Sequence, residues 1–120
     1  MTKDHLIHFA ADWINAWNAH DLDWILSHYA DEIEFTSPFV VKLLGISSGT
    51  ITGKEQLRDY FSKGLSAYPE LHFVLLNVFT GAQSVVLDYR SVKNLRASET
   101  MLFDDREKIV RVIAHYVESE

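Results

Sequence analysis

At 120 residues, 48% of them hydrophobic, the chain has the size of one ordinary domain, residues 1–120, able to bury a core without staples. It contains no cysteine, which excludes disulfides and thiolate metal sites. A formal net charge of −6 argues against a phosphate-backbone partner, so no nucleic-acid binding is expected.

The opening MTKDHLIHFAADW holds no apolar stretch of signal-peptide length, and no run approaches membrane-spanning length. A cytoplasmic protein with no membrane partner is the expectation. Leu6, Ile7, Ala10, Trp13, Ile14 and Trp17 recur at helical spacing and predict a first amphipathic helix. Asn18-Ala19-His20 breaks it, and Asp21 stands as N-cap of a second helix carrying Leu22, Ile25, Leu26 and Tyr29. Glu32–Thr36 alternates as a half-buried strand that Ser37-Pro38 ends.

From Phe39 to Gly53 the pattern is irregular, an apolar FVVKLLGI followed by SSGT, and suits a lid over a pocket mouth. Thr52 and Glu55 have capping-box spacing before a third helix, which directs Leu57, Phe61, Leu65 and Tyr68 inward until Pro69. Four strands follow, near Leu71–Thr80, Ser84–Val92, Leu95–Phe103 and Lys108–Val117, with turns at Gly81-Ala82, Lys93-Asn94 and Asp104-Asp105. Three helices first and hairpin-linked strands last predict an α+β fold, its long antiparallel sheet curled around the helices. Strict alternation sets Leu71, Phe73 and Leu75 against Val74, Leu76 and Val78, and Ile109 and Ile113 against Val110 and Val112. Strands apolar on both faces need a second cover, so a homodimer is expected.

Short motifs add little. GISSG at Gly45–Gly49 matches a nucleophile elbow but lacks the strand before it and the helix after it. Gly49–Lys54 is one residue short of a phosphate loop, with Glu55 where a magnesium-ligating hydroxyl belongs. His5, His8 and Asp12 share a helix stripe that reads as a solvated face, since no fourth ligand is near; neither metal nor other cofactor is expected. Glu99 differs. It alternates with Met101 and Phe103, which sets a carboxylate on an apolar strand face, where its burial is costly unless it is protonated or paired.

The segments AWNAHDLDWILSHYADEIEFTSP, TGKEQLRDYFSKGL and ETMLFDDREKIVRVIAHY together resemble the nuclear transport factor 2-like superfamily, in particular its SnoaL-like (polyketide cyclase and ketosteroid isomerase-like) domains. In the last hairpin Glu107 occupies the place of the family's turn glycine. The resemblance implies a cone-shaped α+β barrel, usually dimeric, with a pocket for a small apolar ligand between sheet and helices. On the isomerase pattern, which uses an aspartate base and an oxyanion hole of a tyrosine and a protonated aspartate, Ser37 stands at the base. Trp13 falls at the oxyanion tyrosine and Glu99 at the second oxyanion acid. A serine is no base at neutral pH, so steroid isomerisation is not expected. Cyclases of the SnoaL-like kind use one aspartic acid, and related epoxide hydrolases an Asp-Arg-Asp relay. Strand parity turns His115, Asp88 and Arg90 away from the Glu99 face. The expected site is therefore Glu99 as acid, in a pocket walled by Trp13, Trp17, Ser37, Phe61, Tyr89, Met101, Val112 and Tyr116. The expected function is acid–base chemistry on a small apolar carbonyl compound, or, as the alternative, noncatalytic ligand binding or protein contact on the same fold.

Overall fold

A computed structural model describes residues 1–117. Helix α1, Lys3–Asn18, starts where the Thr2 hydroxyl accepts the His5 N–H, and buries Leu6, Ala10, Trp13, Ile14 and Trp17 along one stripe. Helix α2, Leu22–Leu26, is capped by the Asp21 carboxylate, which accepts the Trp24 N–H. The tripeptide between them does more than break a helix. The Asn18 amide donates to the Phe73 carbonyl and accepts the Phe73 N–H, while the His20 ring contacts the Leu71 carbonyl at 2.8 Å. This clamp ties the helical corner to the segment leading into the far edge of the sheet.

Tyr29, assigned from sequence to the end of the second helix, is instead the first residue of strand β1, Tyr29–Thr36. The irregular stretch after it holds an additional helix, α3, Pro38–Leu44, so the described residues contain four α-helices and not three. Pro38 occupies its first turn, where a missing N–H costs nothing, and Gly45 ends it in the left-handed conformation (φ 71°). Strand β2, Thr50–Thr52, then pairs antiparallel with β1. The Thr52–Glu55 capping box does not form. Gly53, with φ 89°, begins helix α4, Lys54–Ala67, without a side-chain cap, and the Thr52 N–H goes to the Gln56 side chain. The helix starts one residue later than the box requires, which puts Gly53 and not Thr52 at the N-cap.

Strands β3 (Val74–Thr80), β4 (Ser84–Arg90), β5 (Arg96–Phe103) and β6 (Ile109–Val117) form an antiparallel meander. The complete order is β2-β1-β6-β5-β4-β3, with β1 and β6 parallel, so the curled sheet is antiparallel at every junction but that one and does not close. Two bulges alter the expected facing. One at Leu102/Phe103 resets β6 so that Ile109 and Val112 both enter the core, where strict alternation had set them on opposite faces. Another at Leu75/Asn77 breaks the alternation of β3. The helices pack into the concave face, and Ile25, Ile33, Leu57 and Leu87 lose all contact with solvent. Each such side chain contributes about 1.5–3 kcal/mol by leaving water. The convex face keeps Val74, Leu76, Phe79 and Leu102 exposed. No helix among the described residues is long and apolar enough to cross a membrane.

Candidate functional site

Trp13 and Trp17 lie one turn apart on α1, so both reach the same region of the concave face. Phe73 stacks on Trp13 at 5.8 Å, Tyr89 meets it edge-on at 5.4 Å, and Phe61 of α4 meets Trp17 edge-on at 4.7 Å. These rings bound a cavity of about 60 Å³, into which β5 brings Glu99 and β6 brings Tyr116. The volume holds a few water-sized groups but is smaller than an apolar cavity that admits benzene, about 150 Å³. At the outer end, the Phe39 ring from α3 closes edge-on against Tyr116, centroids 4.8 Å apart.

Glu99 is 4% exposed. Its cross-strand neighbours are Leu87 and Ala114, both buried, so its row of the sheet offers no counter-charge. Its Oε2 atom has no hydrogen-bond partner. Burial raises its pKa to about 8, with the Tyr89 hydroxyl pulling in the opposite direction. At neutral pH the group therefore carries its proton and presents a donor to the cavity. Burial, and after it the Glu99 carboxyl, also raise the Tyr29 and Tyr89 hydroxyls well above the ordinary phenol range, and Tyr60 and Tyr116 are raised too, chiefly by burial. The tyrosines are thus neutral hydrogen-bonding groups.

The two tryptophans differ in what they offer. The Trp13 indole N–H donates to the Tyr29 hydroxyl at 3.0 Å, so it is not available as the oxyanion donor that the resemblance assigned to it. The Trp17 indole N–H is buried and is directed toward the same Tyr29 hydroxyl without completing a hydrogen bond to it. Trp17 and Glu99, each with a buried polar atom that lacks a hydrogen-bond partner, are both residues of the cavity wall. Buried polar atoms are nearly always paired, so these two are exceptions in a largely apolar wall.

Of the residues expected on the wall, Trp13, Trp17, Phe61, Tyr89, Tyr116 and Glu99 line the cavity, whereas Ser37, Met101 and Val112 do not. Met101 shares the Glu99 face, but it sits one pleat deeper between Val85 and Val112 and packs as core. Ser37 is buried and caps α3, its hydroxyl accepting the Phe39 N–H at 3.2 Å. Phe73, Tyr60 and Phe39 also line the cavity and are absent from the wall expected from sequence. Tyr60 adjoins the inward Phe61, and Phe39 belongs to a helix that its irregular sequence context concealed.

The other candidates lie elsewhere. His115 faces out, exposed, opposite Ser98. Asp88 also faces out and is held by Arg96 and Asn77, not by Arg90. His8 contacts the Asp4 carbonyl, His5 stands 3.4 Å from Glu107, and Asp12 lies beside His28 and Trp24. Among the described residues no group of three His, Cys, Asp or Glu side chains gathers to hold a metal. Ser47 of the GISSG motif lies exposed after α3, and Gly49 serves packing, since a side chain there would meet the Ser37 carbonyl at 3.1 Å.

Comparison with known proteins agrees with this architecture. The SnoaL-like domain family matches residues 10–117. A SnoaL-like protein of unknown function from Burkholderia thailandensis is 42% identical, with 98% of each chain covered and a TM-score of 0.94. Two more distant structures share the fold alone. A putative ketosteroid isomerase from Kribbella flavida is 14% identical, with coverage of 92% and 76% and a TM-score of 0.70. The epoxide hydrolase/cyclase-like enzyme SalBIII, described in pyran ring formation in the polyether salinomycin, is 14% identical, with coverage of 96% and 92% and a TM-score of 0.78. No curated protein matches. With its family match over nearly the whole chain and a close relative at full coverage, the chain belongs to the SnoaL-like domain family.

Proposed function

We propose that the cavity binds a small, largely apolar carbonyl compound and that Glu99 is its acid–base group. One observation carries the reading: a buried carboxyl with one oxygen unpartnered, raised by burial to about 8, on the wall of an aromatic cavity. In its protonated form Glu99 donates to the carbonyl oxygen, and the Trp17 N–H adds a second donor. Such donors stabilise the charge that grows on that oxygen during enolisation. About a tenth of the carboxyl is ionised at pH 7; in that form it takes the proton from the carbon beside the carbonyl and then, as the acid, returns it to the enolate oxygen to give the enol. Steroid isomerisation is not part of the proposal, because Ser37 at the base position is occupied in capping α3.

A second reading, binding without chemistry, is favoured by the composition of the lining. Glu99 is the single carboxylate on it among the described residues, and no histidine joins it. Two measurements separate the readings. Native mass spectrometry of freshly purified protein is expected to find a retained carbonyl compound, released by Glu99→Leu, which offers no donor. With small ketones, NMR is expected to show solvent-deuterium exchange beside the carbonyl, lost in Glu99→Gln. Retention without exchange selects the binder, and absence of both retention and ketone binding at millimolar concentration refutes the cavity reading.

A further inference from the structure

The chain carries 17 acidic residues against 11 basic ones, yet the mouth of the cavity has the opposite balance. An outer recess of about 520 Å³ shares Phe39 and Tyr116 with the inner cavity and carries Lys42 and Lys93 with no acidic side chain. A neighbouring recess of about 470 Å³ meets the cavity at Tyr68 and Val92, and carries Arg90 and Lys93 against Glu70 alone. A mouth of inverted charge on an acidic protein attracts anions.

The two lysines are placed on the aromatic rim itself. The Lys42 ammonium stands 5.7 Å from the Phe39 ring centre, and that of Lys93 stands 6.0 Å from the Tyr68 ring centre. Among the described residues neither enters an ion pair. Lys93 and Asn94 both adopt the left-handed conformation, φ 56° and 59°, which costs a residue with a side chain free energy. Strain of this kind, held by the 2.7 Å hydrogen bond from the Ser91 N–H to the Leu95 carbonyl, lies where the β4–β5 connection borders the mouth.

This inference rests on the carbonyl reading of the cavity and extends it. We propose that the ligand is an oxo acid, its apolar chain and ketone inside the aromatic cavity and its carboxylate outside, between Lys42 and Lys93. The small inner volume selects a slender, linear chain, and the Phe39–Tyr116 contact must part for it to pass.

The test titrates three compounds, 7-oxooctanoate, its primary amide and octanoate, by quenching of tryptophan fluorescence. Wild type is compared with a double variant, Lys42→Gln with Lys93→Asn, since asparagine tolerates the left-handed conformation. The acid is expected to bind about tenfold more tightly than the amide at low ionic strength, equivalent to about 1.4 kcal/mol. Salt should shrink that ratio. In the double variant it should fall to about one while the affinity for the amide is unchanged, which also shows that the variant is folded. An amide bound as tightly as the acid overturns the role of the lysines and leaves the carbonyl reading standing, as does a preference that survives the double substitution. Octanoate bound as tightly as 7-oxooctanoate, with the lysine dependence intact, overturns the carbonyl assignment. Binding of none of the three at millimolar concentration overturns both.

Discussion

Replacing Glu99 by glutamine keeps the shape of the side chain and one donor but removes the titration. In the folded protein the carboxyl titrates at about 8, against an ordinary value of 4.5. A raised folded value means that the native state holds the proton more tightly than the unfolded chain does. The stabilisation from the protonated acid is complete below 4.5 and is lost as pH rises through the folded value. Each pH unit within that window removes about 1.4 kcal/mol. Between about pH 5 and about pH 7, wild type should therefore lose about 2.5 kcal/mol relative to Glu99→Gln. With a urea dependence of about 1–3 kcal/mol per molar, the difference between the two unfolding midpoints should move by about 0.8–2.5 M. The assay is a pH series of urea midpoints for both proteins, in which His28, lowered chiefly by burial, is common to the two. Midpoint curves that stay parallel across the series would show Glu99 to be solvated or paired, and would remove its acid from the proposed site.

Three further outcomes test other parts of the structure. Glu107 has φ 62°, so Glu107→Gly should relieve the strain of a left-handed residue, with a net gain of about 0.5 kcal/mol in thermal or urea unfolding; a loss above that size refutes the turn assignment. Asp88 accepts from Arg96 at 2.6 and 2.7 Å and from Asn77 at 2.9 Å, and those bonds, Arg96 first, hold its carboxyl at about 2. That depressed value stabilises the fold above the ordinary 3.8 and is lost as pH falls towards about 2, so Asp88→Asn should flatten the acid limb. Because Arg96 is half exposed, its cost at neutral pH should be about 1 kcal/mol or less. The convex sheet face leaves Phe79 58% exposed, and a homodimer covering it should give a dimer mass by light scattering that Phe79→Glu reduces to a monomer; a monomer mass for wild type refutes the assembly.

Local chemistry settles a large part of this molecule. The Trp13/Trp17 stripe, the Asp21 cap, the four-strand meander and its turns all follow from periodicity and from residues with strong backbone preferences, and each appears in the structure near its expected place. The outward facing of His115 and Asp88 follows from the same alternation. Where the two readings part, the cause lies in contacts between distant segments. Ser37 starts a helix because Pro38 follows it and the Gly49 backbone returns to pair with it, a closure invisible in the composition of FVVKLLGI. The bulge that brings Ile109 and Val112 to one face exists because β6 must satisfy β5 and a parallel β1 together. Which indole completes a hydrogen bond depends on the position of the Tyr29 hydroxyl, 16 residues from Trp13 and on another element. Alternation alone sets Glu99 on an apolar face, but its missing partner and the lysines around the mouth arise only when helix, sheet edge and turn meet, because hydrogen-bond satisfaction and local field are properties of the assembled surface.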